Sequence, residues 1–84
     1  MTYAIVFEKN IKKQLKSIPL KDSKKIIELI ESLADEPRPN GAERLQGRRG
    51  YRIRYGNYRI VYAIDDGKLI IYVIDVDHRK DIYR

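Results

Sequence analysis

The spacing of apolar residues in the first half of the chain predicts one short strand followed by two helices. A strand-like run over residues 3–7 gives way to Ile11, Leu15 and Ile18, which recur at helical intervals until Pro19. This spacing predicts a first helix that starts near residue 8 and ends before the proline.

A second helix is predicted from a longer apolar stripe after Pro19. Asp22 or Ser23 is suited to cap its start, and the acidic-proline pair at residues 36–37 ends it. The apolar positions share one side, as in an amphipathic helix that covers a core. These positions are Ile26, Ile27, Ile30, Leu33 and Ala34.

From residue 51 the apolar and polar positions alternate, which is the period of a β-strand. Gly56 and Asn57 suit a two-residue turn, so residues 51–62 predict a β-hairpin with pairs at 55–58, 54–59, 53–60 and 52–61. One face of this hairpin is then tyrosine and isoleucine. The other face holds three arginines, namely Arg52, Arg54 and Arg59.

The end of the chain predicts one more strand. Residues 37–50, rich in proline and glycine, predict a loop pinned to the core by Leu45. A two-residue turn at residues 66–67 and a strand over residues 68–76 would place Ile74 opposite Arg59. We therefore expect an apolar floor beside the arginines, although a slip of one residue would invert the faces.

The order of these elements predicts an α+β fold, with residues 1–84 as one domain. An N-terminal strand and two helices should pack on one face of an antiparallel sheet, in the order β-α-α-β-β-β, followed by a short tail. The absence of cysteine excludes disulfides and thiol nucleophiles and is typical of a reducing cytoplasm. The apolar run at residues 1–7 is too short for a signal peptide or a membrane span, so we expect a cytoplasmic protein.

The charges predict a polyanionic partner. The formal net charge is +6, and the stretch from Arg44 to Arg59 contains six arginines and no acidic residue. Like charges at positions 54 and 59 repel each other unless an anion lies between them; arginines that extend into solvent, or an acidic partner protein, would also explain the pattern. Arginine binds phosphate oxygens two at a time, whereas lysine is a solvated point charge.

Two further basic groups are candidate RNA-backbone contacts. One is in the predicted loop and the other follows one side of the first predicted helix, where a solvated face is the simpler interpretation. The candidates are Arg44, Arg48, Arg49, Lys9, Lys12, Lys13 and Lys16.

The tail adds side chains at the end of the last predicted strand. Arg79 and Tyr83 are four residues apart and share one side of a helical turn, close to the strand that carries Arg59. Tyr83 would otherwise anchor the terminus by packing, and His78 would otherwise be an ordinary surface residue.

Several motifs in this order resemble the RelE toxins of the RelE/ParE superfamily, and the resemblance covers nearly the whole chain. The motifs are Leu45-Gln46-Gly47, Tyr51-Arg52-Ile53-Arg54, Tyr58-Arg59-Ile60-Val61-Tyr62 and His78-Arg79-Lys80-Asp81-Ile82-Tyr83. The resemblance implies a ribosome-dependent endoribonuclease that cuts messenger RNA in the A site and is held inactive by an antitoxin. The ribosome and a cognate antitoxin are therefore the expected partners. No cofactor is expected, and no metal ion either, because Asp75 and Asp77 have strand-like spacing but the sequence supplies no convincing set of further ligands.

By motif, Arg59 corresponds to the family's arginine at the scissile phosphate, Arg79 to its tail arginine and Tyr83 to its terminal tyrosine. Arg52 and Arg54 replace lysines found in some members. RNA cleavage by 2′-hydroxyl attack needs a base, and arginine remains protonated, so the base must lie elsewhere. We expect Tyr83 to act as the base or to stack on the substrate, with His78 as an alternative proton carrier.

Two other functions remain compatible with the sequence. One is a ParE-like inhibitor that binds DNA gyrase and catalyses nothing. The other is a catalytically inactive member that binds RNA or only its antitoxin.

Overall fold

A computed structural model describes residues 2–47 and 49–78 of the chain. One strand, two helices and then four strands follow one another, which confirms the predicted α+β fold class and, apart from one additional strand, the predicted element order. The elements are β1 (Ala4–Phe7), α1 (Ile11–Lys16), α2 (Leu20–Ser32), β2 (Glu43–Arg44), β3 (Tyr51–Tyr55), β4 (Tyr58–Asp65) and β5 (Ile70–His78). Neither helix in these ranges has the length and apolarity needed to cross a membrane.

The five strands form one sheet in the order β1-β5-β4-β3-β2. The β3–β4 and β4–β5 pairs are antiparallel, as predicted, and so is the β2–β3 pair. β1 lies parallel to β5, so the sheet is mixed rather than antiparallel throughout. The two helices separate these parallel neighbours in sequence, since a parallel pair requires a long crossover. The short strand β2 was not predicted and lies in the segment that was interpreted as a loop.

Both helices cover the same face of the sheet, which we call the covered face; the opposite side is the open face. Ile26, Ile30 and Leu33, which belong to the apolar stripe predicted for the second helix, are fully buried against the covered face. The start of α2 differs from the prediction, because the helix begins at Leu20 directly after Pro19. Pro19 is the N-cap residue, and neither Asp22 nor Ser23 caps the helix.

The β3–β4 hairpin has the predicted register. Its turn is formed by Gly56, with a φ of 57°, and Asn57. Arg54 lies opposite Arg59, and the tyrosines and isoleucines of both strands contribute to the covered face. Both the turn and the strict alternation are local features, which explains why the sequence predicted them.

The β4–β5 pairing differs from the prediction. The connection is a four-residue turn, in which Leu69 adopts a φ of 57° and the backbone N–H of Lys68 donates to Asp65 Oδ1 at 2.9 Å. The register then changes between Val61 and Tyr62, because β5 contains one extra residue at a β-bulge.

The consequence of this bulge is that Asp77, not Ile74, lies opposite Arg59. The predicted apolar floor is therefore wrong, since a carboxylate occupies that position. Gln14 of α1 contacts the bulged strand beyond the end of β1: its Oε1 accepts from the Val76 N–H at 3.1 Å. Its Nε2 donates to Asp75 Oδ1 at 2.9 Å, so both polar ends of the amide are used.

Candidate functional site

The candidate site is a row of three charged residues on the open face, which we call the arginine row. Arg54 of β3, Arg59 of β4 and Asp77 of β5 lie directly opposite one another across neighbouring strands. The order of charges is therefore positive, positive, negative. This arrangement leaves a net positive charge near the β3–β4 turn.

Arg59 is the most enclosed arginine of the row. Its side chain is 29% exposed, and its Nη2 lies 3.7 Å from Asp77 Oδ2. At this distance the pair attracts through charge but lacks a hydrogen bond of normal length. Its Nε is buried and has no hydrogen-bond partner among the described residues. Because the Nη2–Asp77 contact is long and the side chain is partly exposed, the terminal nitrogens, rather than the buried Nε, are the donors that an incoming phosphate can reach.

Arg54 is exposed, and its position opposite Arg59 places two like charges side by side. Such a pair costs a fraction of about 1 kcal/mol in a sheet. An anion bound between the two guanidinium groups would remove this repulsion. The pair is the electrostatic feature of the hairpin that most favours phosphate binding.

Arg52 lies on the same open face but has a protein partner. Its Nε donates to Glu43 Oε1 at 3.2 Å, and the two residues are paired in register between β2 and β3. Sequence analysis missed this contact because Glu43 lies just before the acid-free stretch, in a segment where no strand was predicted. Arg52 is thus partly neutralised, unlike Arg54.

His78 is on the other side of the sheet from the arginine row. It is paired with Tyr58, whose ring contributes to the core, and the two ring centroids are 4.8 Å apart. Burial and the carboxylate of Asp22 raise the pKa of Tyr58 above its ordinary value. His78 lines a groove of about 470 Å³ beside α1. The structure therefore does not bring His78 together with Arg59 on one face.

Arg44 and Arg49 are exposed at the opposite end of the sheet. With Arg38 they line a groove of about 500 Å³ next to the β4–β5 turn. Arg59 and Asp65 of that groove are six positions apart in β4, which corresponds to about 20 Å of strand. The acid-free arginine stretch is thus divided between two ends of the molecule.

The four candidate lysines form a third basic region in the helical layer. Lys9 precedes α1, and Lys12, Lys13 and Lys16 lie within it; all four are exposed. They are not part of the arginine row. Their positions fit either a solvated helix surface or a separate backbone contact.

A model of the family described as the ParE toxin of type II toxin–antitoxin systems, parDE, matches residues 5–83. The chain belongs to the RelE/ParE toxin superfamily. This result confirms the resemblance noted in the sequence.

Two relatives share the full length of this toxin. RelE1 of Methanocaldococcus jannaschii is 32% identical over 88 residues, covering 100% of this chain and 98% of the relative. Toxin RelG of Mycobacterium tuberculosis is 31% identical over 86 residues, covering 100% and 99%. With such names among its relatives, the chain is a RelE-like toxin of a type II toxin–antitoxin system.

Solved structures agree with this assignment. The RelBE2 toxin–antitoxin complex of Mycobacterium tuberculosis contains a chain with a TM-score of 0.82 and 26% identity, covering 94% of this toxin and 100% of that chain. The RelE–RelB complex of Pyrococcus horikoshii gives a TM-score of 0.80 and 27% identity, covering 94% and 97%.

The remaining predicted site residues of the toxin lie outside the described residues. They are Arg48, Arg79 and Tyr83. Their roles therefore stay predictions.

Asp77 is the site residue that sequence analysis did not find. Its strand was predicted to end at residue 76, and the assumed register placed an apolar side chain against Arg59. The alternation of Asp75 with Asp77 was visible, but its alignment with Arg59 depends on the bulge. The local pattern of apolar and polar residues in β5 does not indicate a bulge of this kind.

Proposed function

We propose that this toxin is a metal-independent endoribonuclease that cuts messenger RNA on the ribosome. The carrying observation is the arginine row, in which two opposed arginines share the open face and Arg59 makes only a long, 3.7 Å contact with Asp77. Cleavage proceeds by attack of a 2′-hydroxyl on the adjacent phosphate. Arg59 would bind the phosphate and stabilise the charge that develops on it, and Arg54 would add a second positive charge.

The tail completes the proposed site. Arg79 would contact the phosphate from the second side, and Tyr83 would stack on the substrate or act as a base. Arg52 would contribute charge near the row, although Glu43 already neutralises part of it. His78 remains a proposed proton carrier, which would have to act around the end of the sheet from the covered face.

The other basic regions are proposed to hold RNA backbone. Arg44 and Arg49, together with Arg48, would contact phosphates at the groove beside the β4–β5 turn, away from the arginine row. The lysines at positions 9, 12, 13 and 16 would face ribosomal RNA. Contacts at widely spaced points fix the register of a nucleic acid without reading its sequence.

The ribosome would supply much of the preorganisation. A chain of 84 residues offers a shallow, exposed row rather than an enclosed active site. A bound and oriented messenger RNA removes much of the entropic cost of reaching the reactive geometry. Efficient and specific cleavage of free messenger RNA by the purified toxin would contradict this dependence.

A cognate antitoxin is the proposed inhibitor in the cytoplasm. Related toxins are seen in complexes with RelB. An acidic segment that covers Arg54 and Arg59 would both neutralise the opposed charges and block the phosphate. Such a partner needs no contact with catalytic chemistry to inhibit it.

The test is induced expression in a bacterial host, with messenger RNA ends mapped by primer extension. The expected result is growth arrest with cuts that follow the codon phase. Arg59→Ala and Arg79→Ala should abolish the cuts while the variants still accumulate. Intact messages in arrested cells would overturn the proposal.

A second candidate function is inhibition of DNA gyrase without catalysis. The observation that favours it is the match to the ParE toxin family model. Under this function, expression would give DNA damage and intact messages. The growth arrest would then be insensitive to Arg59→Ala, since no phosphate needs to be stabilised.

A further inference from the structure

We propose that Asp77 is a catalytic residue of this toxin, acting as the general base that deprotonates the attacking 2′-hydroxyl. This inference rests on the proposed ribonuclease function. It starts from the need for a base that Arg52 and Arg54 leave open, because arginine remains protonated. With Asp77 as the base, the role left for Tyr83 is to stack on the substrate. Asp77 is the carboxylate that the structure places next to the phosphate-binding arginine.

The position of Asp77 depends on the bulge. If β5 continued without the extra residue from the Tyr62–Val73 pair, Val76 would lie opposite Arg59. One inserted residue moves Asp77 into this position instead. Bulges commonly redirect a side chain beside an active site.

Gln14 stabilises this bulge from the helical layer. Its amide binds the Val76 N–H and the Asp75 carboxylate on either side of one peptide unit. These contacts satisfy polar groups of β5 beyond the end of β1. The carboxylate of Asp75 is thereby engaged, whereas that of Asp77 points to Arg59.

The contact with Arg59 leaves the carboxylate available. Its Oδ2 is 3.7 Å from Arg59 Nη2, and the Asp77 side chain is 43% exposed. By contrast, Arg52 and Glu43 form a hydrogen bond of 3.2 Å. Asp77 is therefore held near the guanidinium without being fully occupied by it.

A negative charge beside a phosphate site weakens the binding of RNA. A purely structural counter-ion for the repelling arginines would be placed more favourably away from the phosphate. A general base must lie close to the scissile phosphate even though its negative charge weakens RNA binding, because it has to reach the adjacent 2′-hydroxyl. The geometry thus fits a chemical role better than charge balance alone.

The proposed reaction is a transesterification in which one P–O bond forms and another breaks. Asp77 takes the proton of the 2′-hydroxyl, and the 2′-oxygen forms a bond to phosphorus. The bond from phosphorus to the 5′-oxygen breaks, and that oxygen takes a proton from water. A 2′,3′-cyclic phosphate and a 5′-hydroxyl result, and Asp77 then returns its proton to solvent.

The charged and titratable groups near Asp77 are few in the described part of the chain. Arg59 and Arg54 follow it in the arginine row. Tyr58 and His78 line the groove that Asp77 also borders. His78 is paired with Tyr58, whereas Asp77 is paired with Arg59, so of these two residues Asp77 is the one in the arginine row.

The experiment measures single-turnover cleavage of messenger RNA on programmed ribosomes. Asp77→Asn should lower the rate at saturation by at least about 100-fold, the range of a lost general base, without raising the ribosome concentration for half-maximal rate. Asp77→Ala should recover at least about tenfold of its lost rate when formate is added, since a free carboxylate can replace the base. Asp77→Glu should retain more activity than Asp77→Asn.

Asp75→Asn is the matched control, because an asparagine oxygen still accepts from Gln14 and the strand is the same. It should cleave within about threefold of wild type, as an additive surface change does. Equal melting temperatures of the variants exclude misfolding. Wild-type rates for Asp77→Asn, or a loss that formate does not restore, would overturn the inference and leave the ribonuclease function standing. A wild-type toxin that does not cleave would overturn both.

Discussion

Arg38 and Arg59 lie toward opposite ends of the sheet and differ in how fully their guanidinium groups are paired. Arg38 donates to Asp66 Oδ2 at 2.9 Å and to the Tyr51 hydroxyl at 3.0 Å, and its guanidinium lies over the Tyr51 ring at 5.5 Å. Arg59 has one ion pair at 3.7 Å and a buried Nε without a partner among the described residues.

The carboxylate beside Arg38 is also more fully paired than the carboxylate beside Arg59. Hydrogen bonds from Arg38 and Tyr3 hold the pKa of Asp66 below its ordinary value. Both oxygens of this carboxylate therefore accept hydrogen bonds within the protein. The cluster ties the loop after α2 to the β4–β5 turn. Arg38 therefore stabilises the structure, whereas Arg59 retains capacity for a ligand. Net charge alone would not separate these roles.

The largest expected difference concerns activity. Arg59→Ala should lower messenger RNA cleavage on ribosomes by about 100- to 1,000-fold, because it removes the donors aimed at the developing phosphate charge. Arg38→Ala should change the rate by less than about threefold, because its partners are structural. Time courses of messenger RNA cleavage on ribosomes, run in parallel for Arg59→Ala and Arg38→Ala, measure the two rates. Similar losses in the two variants would remove the distinction between the two ends.

The next prediction concerns the free energy of unfolding at high pH and the ionisation of Tyr62, which stacks on the Tyr51 ring beside Arg38. Burial raises the pKa of Tyr62 to about 12, and its hydroxyl donates to the Pro37 carbonyl at 2.7 Å. The unfolded chain loses this proton near its reference pKa of about 10. The free energy of unfolding should therefore be unaffected by Tyr62 below that pH and fall by up to about 2.7 kcal/mol as the pH rises towards 12.

Urea denaturation of wild type and Tyr62→Phe across this range isolates the contribution of Tyr62. The phenylalanine variant should lose about 1 kcal/mol at neutral pH, because the Pro37 carbonyl loses its donor, and it should show a weaker decline above pH 10. Parallel curves for the two proteins would show that Tyr62 ionises as easily in the folded state as in the unfolded one.

A smaller effect is expected for the stability of Arg38→Ala. The pair is at the surface, with side chains 47% and 57% exposed, so solvent screens it. We expect a loss of about 1 kcal/mol, at the upper end for exposed ion pairs, because the Tyr51 hydrogen bond is lost as well. Arg59→Ala, by contrast, should leave the thermal midpoint nearly unchanged or raise it, since it relieves the repulsion from Arg54.

The smallest effect is expected in the helical layer. Lys12→Ala and Lys16→Ala together should weaken binding to ribosomes by about tenfold at most and make the salt dependence shallower, without changing the rate at saturation. Lys24→Ala with Lys25→Ala on α2 is the charge-matched control. An equal loss in the control pair would show that only net charge matters.

Sequence analysis predicted most of the fold and half of the candidate site. The helical stripe of α2 and the alternation of the β3–β4 hairpin report burial directly, so Ile26 and the opposition of Arg54 to Arg59 were both predicted. The capping of α2 and the β4–β5 turn were wrong because several polar residues nearby fit a cap or a turn equally well. The local sequence is compatible with more than one helix start and more than one turn at these positions.

The hairpin over residues 51–62 was determined by the sequence alone, since a two-residue turn at Gly56 and a period of two leave one register. Only the tertiary structure decided what faces Arg59 from the other side. One extra residue in β5 and the amide of Gln14, 61 positions away from Asp75, bring Asp77 into the row. A register that depends on a distant side chain leaves no periodic trace in the strand itself. The positive half of the site is therefore local, and its carboxylate is a product of the fold.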